Sequence, residues 1–191
     1  MPCPYVFVAP RSVCLMPIVD DVSPDILQPL FPLLKNLNPA WNHIVTGVAR
    51  APDSALAEAA VQITYAYTRA QLTVDYGEAV VEEEAAWRPI EFVVLGMGKL
   101  GGEELNFSSD IDLIYLYECD AGMTTGGRKG QMNASTFVTT LAQNLTRTLS
   151  MPIAGGIVFR VDLRLRPDGT NGQIVDSLSN TLLCYESWGQ T

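Results

Sequence analysis

The spacing of apolar residues along the chain predicts two amphipathic helices. Apolar side chains recur at three- and four-residue steps through residues 53–86, which predicts one long helix capped by Asp53 or Ser54. The same spacing returns in residues 133–150 and predicts a second helix. The first stripe consists of Leu56, Ala60, Ile63, Tyr67, Ala70 and Val74, and the second of Phe137, Leu141, Leu145 and Leu149.

Three further segments have the pattern of β-strands. Residues 91–118 combine an apolar strand, a glycine-rich turn, a very short helix and a second strand. Residues 157–166 alternate between apolar and polar side chains, which predicts an antiparallel strand with one solvated face. The polar face of that strand carries Arg160, Asp162, Arg164 and Arg166. Residues 172–177 are a candidate for another short strand.

The segments between these elements are rich in proline, glycine or acidic residues. Residues 1–52 are proline-rich, so only short helical pieces fit there, with a candidate helix start at Ser23. The acidic run at 82–84 is interpreted as a solvated face or a helix end. The glycine-rich residues 120–132 are interpreted as a surface connection, with closure over a substrate as the alternative. The chain stops at YESWGQT without a helix cap, which indicates a fragment of a longer protein.

Composition and charge limit the classes of function. The 191 residues suffice for one ordinary domain with a sizeable core, because 48% of them are apolar and 17% are charged. A net charge of -9 argues against non-specific binding of nucleic acid, which needs clustered Lys and Arg. The basic stripe in residues 157–166 instead suits one phosphorylated ligand. No apolar run reaches the roughly 20 residues of a membrane span, and no signal peptide is expected at the amino terminus.

The cysteines and the single histidine do not indicate a zinc site or a disulfide framework. The four cysteines have no CxxC spacing, so we interpret them as reduced thiols of a cytoplasmic protein. They are Cys3, Cys14, Cys119 and Cys184. His43 has no partner in the sequence and is interpreted as an ordinary structural or surface residue.

The glycine turn at residues 96–101 matches the GxGxxG fingerprint of dinucleotide-binding proteins, and Glu118 lies where a ribose-binding acid is expected. That fold needs a parallel crossover of a dozen or more residues, most of them helical. Here only residues 100–107 can be helical before Ser108 leads into the next strand, so we reject the dinucleotide interpretation. A P-loop is excluded as well, because Lys99 lacks the Gly-Lys-Ser/Thr context.

Two aspartates open the second strand of the 91–118 segment. Asp110 and Asp112 are two positions apart, so their side chains point to the same face of a strand. Carboxylate oxygens suit Mg²⁺ or Mn²⁺, and Asp162 is the candidate for a third acid. Three such acids can position two metal ions for an in-line phosphoryl-type displacement. The alternative, solvated acids at a turn, is disfavoured by the neighbouring glycine turn and by Asp162.

Long sequence blocks resemble one known family. GMGKLGGEELNFSSDIDLIYLYE, GIVFRVDLRLRPDGTNG and YESWGQT resemble the glutamine synthetase adenylyltransferase family of the DNA polymerase beta-like nucleotidyltransferase superfamily. The resemblance implies an α+β fold, in which helices cover one face of a small mixed or antiparallel sheet and a helical segment precedes it. The implied division is a proline-rich segment (1–52), a helical segment (53–90) and a nucleotidyltransferase domain (91–191) truncated at its carboxy terminus.

The resemblance also implies the site residues. The implied catalytic and metal-binding residues are Asp110, Asp112 and Asp162. The implied nucleotide- or phosphate-binding residues are Gly98, Lys99, Ser109, Arg164 and Arg166. For the two arginines, pairing with nearby acids is the structural alternative.

The function implied by the resemblance is regulation of glutamine synthetase. Family members remove AMP from a tyrosine of that enzyme by phosphorolysis to ADP, or attach AMP from ATP, and this sequence is more similar to the amino-terminal, deadenylylating domain. The implied cofactor is Mg²⁺ or Mn²⁺, the implied partners are glutamine synthetase and a PII-type signalling protein, and neither nucleic acid nor a membrane is expected. The alternatives are a catalytically inactive module that binds nucleotide or a partner, and a relative acting on another acceptor.

Overall fold

The computed structural model describes residues 14–15, 53–102, 105–152, 157, 159–166, 169 and 172–188. The helix start predicted at Ser23 and the interpretation of His43 lie outside these residues. The helices are α1 (Asp53–Tyr76), α2 (Gly98–Gly101), α3 (Ala134–Leu149) and α4 (Leu178–Trp188). The strands are β1 (Cys14–Leu15), β2 (Ala79–Glu83), β3 (Ala86–Pro89), β4 (Phe92–Met97), β5 (Ile111–Tyr117), β6 (Met123–Thr124), β7 (Val161–Asp162) and β8 (Val175–Ser177).

The larger sheet is mixed and has β5 at its centre. Its strand order is β1–β4–β5–β7, and β8 also pairs with β5. Strands β4 and β5 are antiparallel, from Phe92 opposite Tyr117 to Met97 opposite Asp112. Strands β7 and β8 both run parallel to β5. A smaller antiparallel sheet has the order β3–β2–β6. The small mixed sheets and the accompanying helices confirm the predicted α+β class.

Helices α1 and α3 pack against one face of the larger sheet. Ile111, Leu113 and Tyr115 of β5 are at most 1% exposed and belong to one hydrophobic cluster with residues of both helices. Tyr65 of α1 stacks on Phe92 of β4, and Phe92 stacks on Tyr115, with ring centroids 5.6 and 5.9 Å apart. Tyr65 is buried and packs in this core. Because strand side chains alternate, this arrangement puts Asp112 on the face away from the helices.

The buried stripe of α1 is not the apolar stripe that the sequence predicted. The buried residues are Ser54, Ala57, Val61, Thr64, Tyr65, Thr68 and Leu72, whereas Val74 is 44% exposed. Threonine can be buried in this helix because its hydroxyl finds a backbone acceptor: Thr68 Oγ1 donates to the carbonyl oxygen of Thr64 at 2.8 Å. Ser54, Thr64 and Thr68 are therefore buried, although the apolar spacing predicted that these positions face solvent.

Helix α1 ends at Tyr76, ten residues before the predicted end. Gly77 has φ +79°, and a Cβ there would lie 2.5 Å from the backbone nitrogen of Gly126. The rest of the predicted helix is the β2–β3 hairpin, whose turn residues Glu84 and Ala85 both have positive φ. Two such residues match the two-residue turns that suit the twist of antiparallel strands. The acidic run at 82–84 is exposed in this hairpin, which confirms that it is solvated.

The glycine-rich loop after β5 caps the end of α1. Backbone N–H groups of Gly126, Arg128 and Lys129 donate to the carbonyl oxygens of Tyr76, Val74 and Asp75, in that order, at 2.9, 3.2 and 2.6 Å. These carbonyls belong to the last turn of the helix, where no intrahelical donor remains. The loop is therefore fixed to α1 as a structural connection.

The third predicted strand is shorter than expected and runs the other way. Among the described residues of this segment, only Val161–Asp162 form a strand, and it is parallel to β5. The predicted antiparallel strand over 157–166 was wrong, because α3 connects β5 to β7 and a helical crossover returns the chain in the same direction. Residues 172–177 do contain the predicted strand, as β8.

Helix α4 was missed at the sequence level. Ser177 precedes it, and its hydroxyl accepts from the backbone N–H of Asn180 at 3.4 Å, as serines at helix starts commonly do. Within the described residues, no helix combines the length and the apolar character needed to cross a bilayer.

Candidate functional site

The central residue of the candidate site is Asp112, the second residue of β5. It lies opposite Met97 in the antiparallel pairing with β4 and opposite Asp162 in the parallel pairing with β7. Directly paired residues of neighbouring strands point to the same face, so the carboxylates of Asp112 and Asp162 share the face away from α1 and α3. The fold thus brings together two acids that are far apart in the chain.

Asp162 is held by the residue two positions after it. Its Oδ1 accepts from the backbone N–H of Arg164 at 2.8 Å, and its Oδ2 accepts from Nε of Arg164, also at 2.8 Å. The side chain of Asp162 is 11% exposed, whereas that of Arg164 is 73% exposed. The guanidinium and the backbone amide of Arg164 hold the pKa of Asp162 below its usual range. In this structure Arg164 thus pairs with a nearby acid.

Asp110 is held by Arg160, the residue before β7. Nε of Arg160 donates to Oδ1 of Asp110 at 2.6 Å, and Nη2 donates to the carbonyl oxygen of Ser108 at 3.2 Å. The backbone carbonyl of Arg160 also accepts from the N–H of Ile111 at 2.9 Å. Arg160 therefore connects the start of β7 to the turn that leads into β5. The resemblance did not name it, although the alternation had placed it on the same face as Asp162.

The glycine turn lies directly against Asp112. Gly98 begins α2 with φ +55°, and a Cβ there would lie 2.7 Å from Oδ2 of Asp112. Glycine at this position therefore leaves room for the carboxylate. Lys99 is exposed and lowers the electrostatic cost of the Asp112 charge.

The two remaining candidates are backbone-bonded in this structure. Ser109 is half-buried, and its N–H donates to the carbonyl oxygen of Asn106 at 3.0 Å in the turn before Asp110. Nε of Arg166 donates to the carbonyl oxygen of Gly169 at 2.6 Å.

The electrostatics of the site converge on Asp112. Burial first, and then the negative charges of Asp162 and Asp110, raise the pKa of Asp112, while Arg164 and Lys99 oppose the rise. Within the described part of the chain, no three His, Cys, Asp or Glu side chains are arranged to hold a metal ion. Asp110 and Asp162 are instead oriented towards arginines. As a donor set, three neighbouring carboxylates fit a hard divalent cation, provided that the arginines give way.

The rejection of a dinucleotide site is confirmed. Strands β4 and β5 are antiparallel, so no parallel crossover follows the glycine turn. Glu118, the candidate ribose ligand of that interpretation, accepts from Nη1 of Arg88 at 2.7 Å and forms an ion pair with the same guanidinium. This pair fixes β3 to the end of β5.

The family model that matches this chain and the known proteins that resemble it point to the same family. Residues 48–191 match the family model described as glutamate-ammonia ligase adenylyltransferase. The chain is 49% identical over 123 residues to a bifunctional glutamine synthetase adenylyltransferase/adenylyl-removing enzyme of Burkholderia pseudomallei (strain K96243), covering 64% of this chain and 13% of that protein.

Two further relatives carry the same name. The protein of Shewanella loihica is 42% identical over 156 residues, covering 79% of this chain and 16% of the relative. The protein of Mannheimia haemolytica is 51% identical over 100 residues, covering 52% of this chain and 10% of the relative. The chain thus spans only 10% to 16% of the length of these relatives. On the match to the family model, this chain belongs to the glutamate-ammonia ligase adenylyltransferase family.

Proposed function

We propose that this chain carries a metal-dependent nucleotidyltransferase site that regulates glutamine synthetase. The site would remove AMP from a tyrosine of that enzyme, add AMP to it, or do both. Two relatives of this chain are named as bifunctional glutamine synthetase adenylyltransferase/adenylyl-removing enzymes, which supports this substrate. Control by a PII-type signalling protein belongs to the same proposal and rests on the family resemblance alone.

The observation that carries the proposal is the register of β5 with β7. It sets Asp112 beside Asp162 on one face of the sheet, and Asp110 is the residue just before β5. The charges of all three interact, since Asp110 and Asp162 both raise the pKa of Asp112. Acids that crowd one another in this way are costly for the fold, and such groups concentrate at functional sites.

The proposed cation ligands are Asp110, Asp112 and Asp162. Mg²⁺ or Mn²⁺ held by them would neutralise their charges and polarise the phosphoryl oxygens of the ligand. The carboxylates orient the site from two neighbouring strands, and this fixed geometry lowers the entropy cost of reaching an in-line arrangement.

The proposed phosphate contacts come from the turn on the other side of Asp112. Backbone N–H groups around Gly98, the ammonium of Lys99 and the hydroxyl of Ser109 can donate to phosphate oxygens. Arg164 is proposed as a further phosphate contact, because its exposed guanidinium adjoins the acids. Arg166 is proposed as a phosphate contact on the family resemblance alone. In this structure its Nε donates to the carbonyl oxygen of Gly169.

The proposed reaction in the deadenylylating direction is a phosphorolysis. An oxygen of inorganic phosphate attacks the phosphorus of the adenylyl group, and the bond from that phosphorus to the tyrosyl oxygen breaks. The tyrosyl oxygen takes a proton, and ADP is released. In the opposite modification, the tyrosyl hydroxyl attacks the α-phosphorus of ATP, loses its proton and displaces pyrophosphate.

Release of ADP from adenylylated glutamine synthetase tests the proposal. The chain is incubated with adenylylated glutamine synthetase, Mn²⁺ and inorganic phosphate, and ADP and free tyrosine are quantified by mass spectrometry. We expect ADP from the wild type only when phosphate is present, and none from Asp110→Asn. Glu82→Gln is the matched control, because it removes one negative charge from the exposed hairpin and should release ADP at the wild-type rate.

Two other outcomes would decide against the enzyme. Nucleotide binding of equal strength in the wild type and in Asp110→Asn, with turnover in neither, would favour a binding module. ADP release at the same rate from both proteins would show that these acids are not the catalytic residues. ATP-dependent labelling of unmodified glutamine synthetase, run in parallel, distinguishes the two directions.

A further inference from the structure

The acid cluster is charge-balanced by cations of the same chain. Asp110, Asp112 and Asp162 carry three negative charges. Arg160 pairs with the first of these acids, and Arg164 pairs with the third. The remaining acid, Asp112, feels the positive charges of Arg164 and of Lys99 of the glycine turn. With three cations against three acids, a divalent cation added alone would leave the cluster with an excess of positive charge.

The two arginines lie over the acids from the solvent side. The side chain of Arg160 is 66% exposed against 43% for Asp110, and that of Arg164 is 73% exposed against 11% for Asp162. An ion pair with an exposed guanidinium is weak, because solvent screens it and a long side chain must be held in place. Both guanidiniums can therefore leave the carboxylates at low cost while the backbone around Asp110 and Asp162 keeps its position.

We infer that Arg160 and Arg164 are exchangeable counter-ions, which hold Asp110 and Asp162 until a divalent cation replaces them and then bind the phosphate of the incoming ligand. This inference rests on the proposed function and adds Arg160 to its phosphate-binding residues. It also adds an order of events: Asp110 and Asp162 pair first with the arginines and then bind the cation.

Charge balance then couples the two ligands. Once a cation holds Asp110 and Asp162, both guanidiniums have lost their counter-ions and lie beside the cation. A guanidinium presents a planar fork of N–H donors that matches two phosphate oxygens, so an anionic phosphate is the natural replacement. Cation and phosphate should each bind more tightly in the presence of the other, and by the same factor.

Titration with Mn²⁺ alone tests the first step. Free Mn²⁺ is measured by its electron paramagnetic resonance signal as the full chain is added, without nucleotide or phosphate. Removing an arginine removes the competitor of the metal, so Arg160→Gln and Arg164→Gln should each bind Mn²⁺ about twofold to fivefold more tightly than the wild type. Arg147→Gln is the matched control: it changes the net charge equally, but this side chain lies on α3 and donates to Asn144, so its affinity should equal the wild type.

Titration with inorganic phosphate tests the second step. Phosphate binding is followed by ³¹P nuclear magnetic resonance with and without saturating Mg²⁺. In the wild type, Mg²⁺ should tighten phosphate binding, and in Arg160→Gln this gain should shrink by at least half. Arg160→Lys keeps the charge but not the fork, so we expect wild-type Mn²⁺ affinity together with a weakened response to phosphate.

The outcomes separate this inference from the proposed function. If Mn²⁺ binds and Asp110→Asn abolishes binding, but neither arginine substitution tightens it, the exchange is wrong and the proposed metal site stands. Looser Mn²⁺ binding in both arginine variants would also overturn the exchange, since it would make the arginines supports of the site. If the wild type binds no Mn²⁺ at all, both ideas fail. Thermal unfolding midpoints show whether each variant is folded. If Arg160→Gln does not fold, the test uses Arg164→Gln alone.

Discussion

Asp112 lies directly opposite Asp162 in the parallel pairing of β5 with β7. The two acids face the same side of the sheet, yet their environments differ. Arg164 pairs with Asp162 and lowers its pKa. Burial and the neighbouring negative charges raise the pKa of Asp112. The electrostatic cost of the cluster is therefore concentrated on Asp112.

Replacing Asp112 should stabilise the fold. Its folded-state pKa lies above the ordinary value of 3.8, so the folded chain binds this proton more readily than the unfolded chain. The free energy of unfolding therefore falls as the pH rises from 3.8 to the folded-state pKa of Asp112, and the loss is complete above that pKa. Asp112→Asn should raise the free energy of unfolding at pH 7 by up to about 1 kcal/mol, measured by urea denaturation without divalent cations. The gain should disappear below pH 3.8.

Asp162→Asn is the natural comparison, because the pKa of Asp162 is shifted in the opposite direction to that of Asp112. The folded-state pKa of Asp162 is lowered, so its contribution to stability is present above 3.8 and is lost as the pH falls through the folded-state value. This variant should be no more stable than the wild type at pH 7. An equal gain in both variants would mean that the two acids share one environment, contrary to the ion pair with Arg164.

Gly98→Ala should damage the site more than the fold. The new Cβ would lie 2.7 Å from Oδ2 of Asp112, so the carboxylate has to move. We expect loss of Mn²⁺ binding and of ADP release, with a stability cost of about 1 to 2 kcal/mol for an alanine in the left-handed region. Gly130→Ala is the control, because Gly130 also has positive φ but a Cβ there meets nothing within 4 Å. It should lower stability while leaving Mn²⁺ binding intact.

Gly127→Ala should damage the fold more than the site. A Cβ at this position would lie 2.7 Å from the backbone of both Asp75 and Tyr76, where the loop caps α1. Backbone atoms cannot move aside as a side chain can, so we expect a loss of about 1 to 3 kcal/mol in denaturant unfolding. Lys129→Gln removes the exposed ion pair with Asp75 and the contact of the ammonium with the ring of Tyr76, and should cost no more than about 1 kcal/mol. Equal losses would indicate that the ion pair, and not the close backbone approach, fixes the loop.

Tyr115→Phe should lower stability without changing the site. The hydroxyl of Tyr115 lies 3.0 Å from Oγ1 of Thr146 on α3, and the ring is 1% exposed. Loss of this partly buried hydrogen bond should cost about 0.5 to 1.5 kcal/mol in urea denaturation. Tyr115 points towards the helices and Asp112 points away from them, so Mn²⁺ affinity should stay at the wild-type value. Weaker Mn²⁺ binding would show that the two faces of β5 are coupled.

The sequence by itself determined the elements whose patterns are local. The strand, short helix and strand of residues 91–118 follow from two apolar runs around a glycine turn, and α3 follows from its four-residue apolar step. Counting the residues between β4 and β5 was enough to reject a dinucleotide fold. The candidate acids could also be found in this way, because alternation along a strand fixes which side chains share a face.

Only the tertiary structure decided what depends on contacts between distant segments. The end of α1 is set by the loop at 126–130, whose N–H groups cap it, and no pattern within the helix records that contact. The direction of β7 follows from the crossover through α3, which brings Asp162 beside Asp112. The pairing of Arg160 with Asp110 depends on that same crossover, since 50 residues of chain separate the two side chains. Local periodicity therefore identified the charged residues of the site, and the packing of distant segments determined which of them pair with one another.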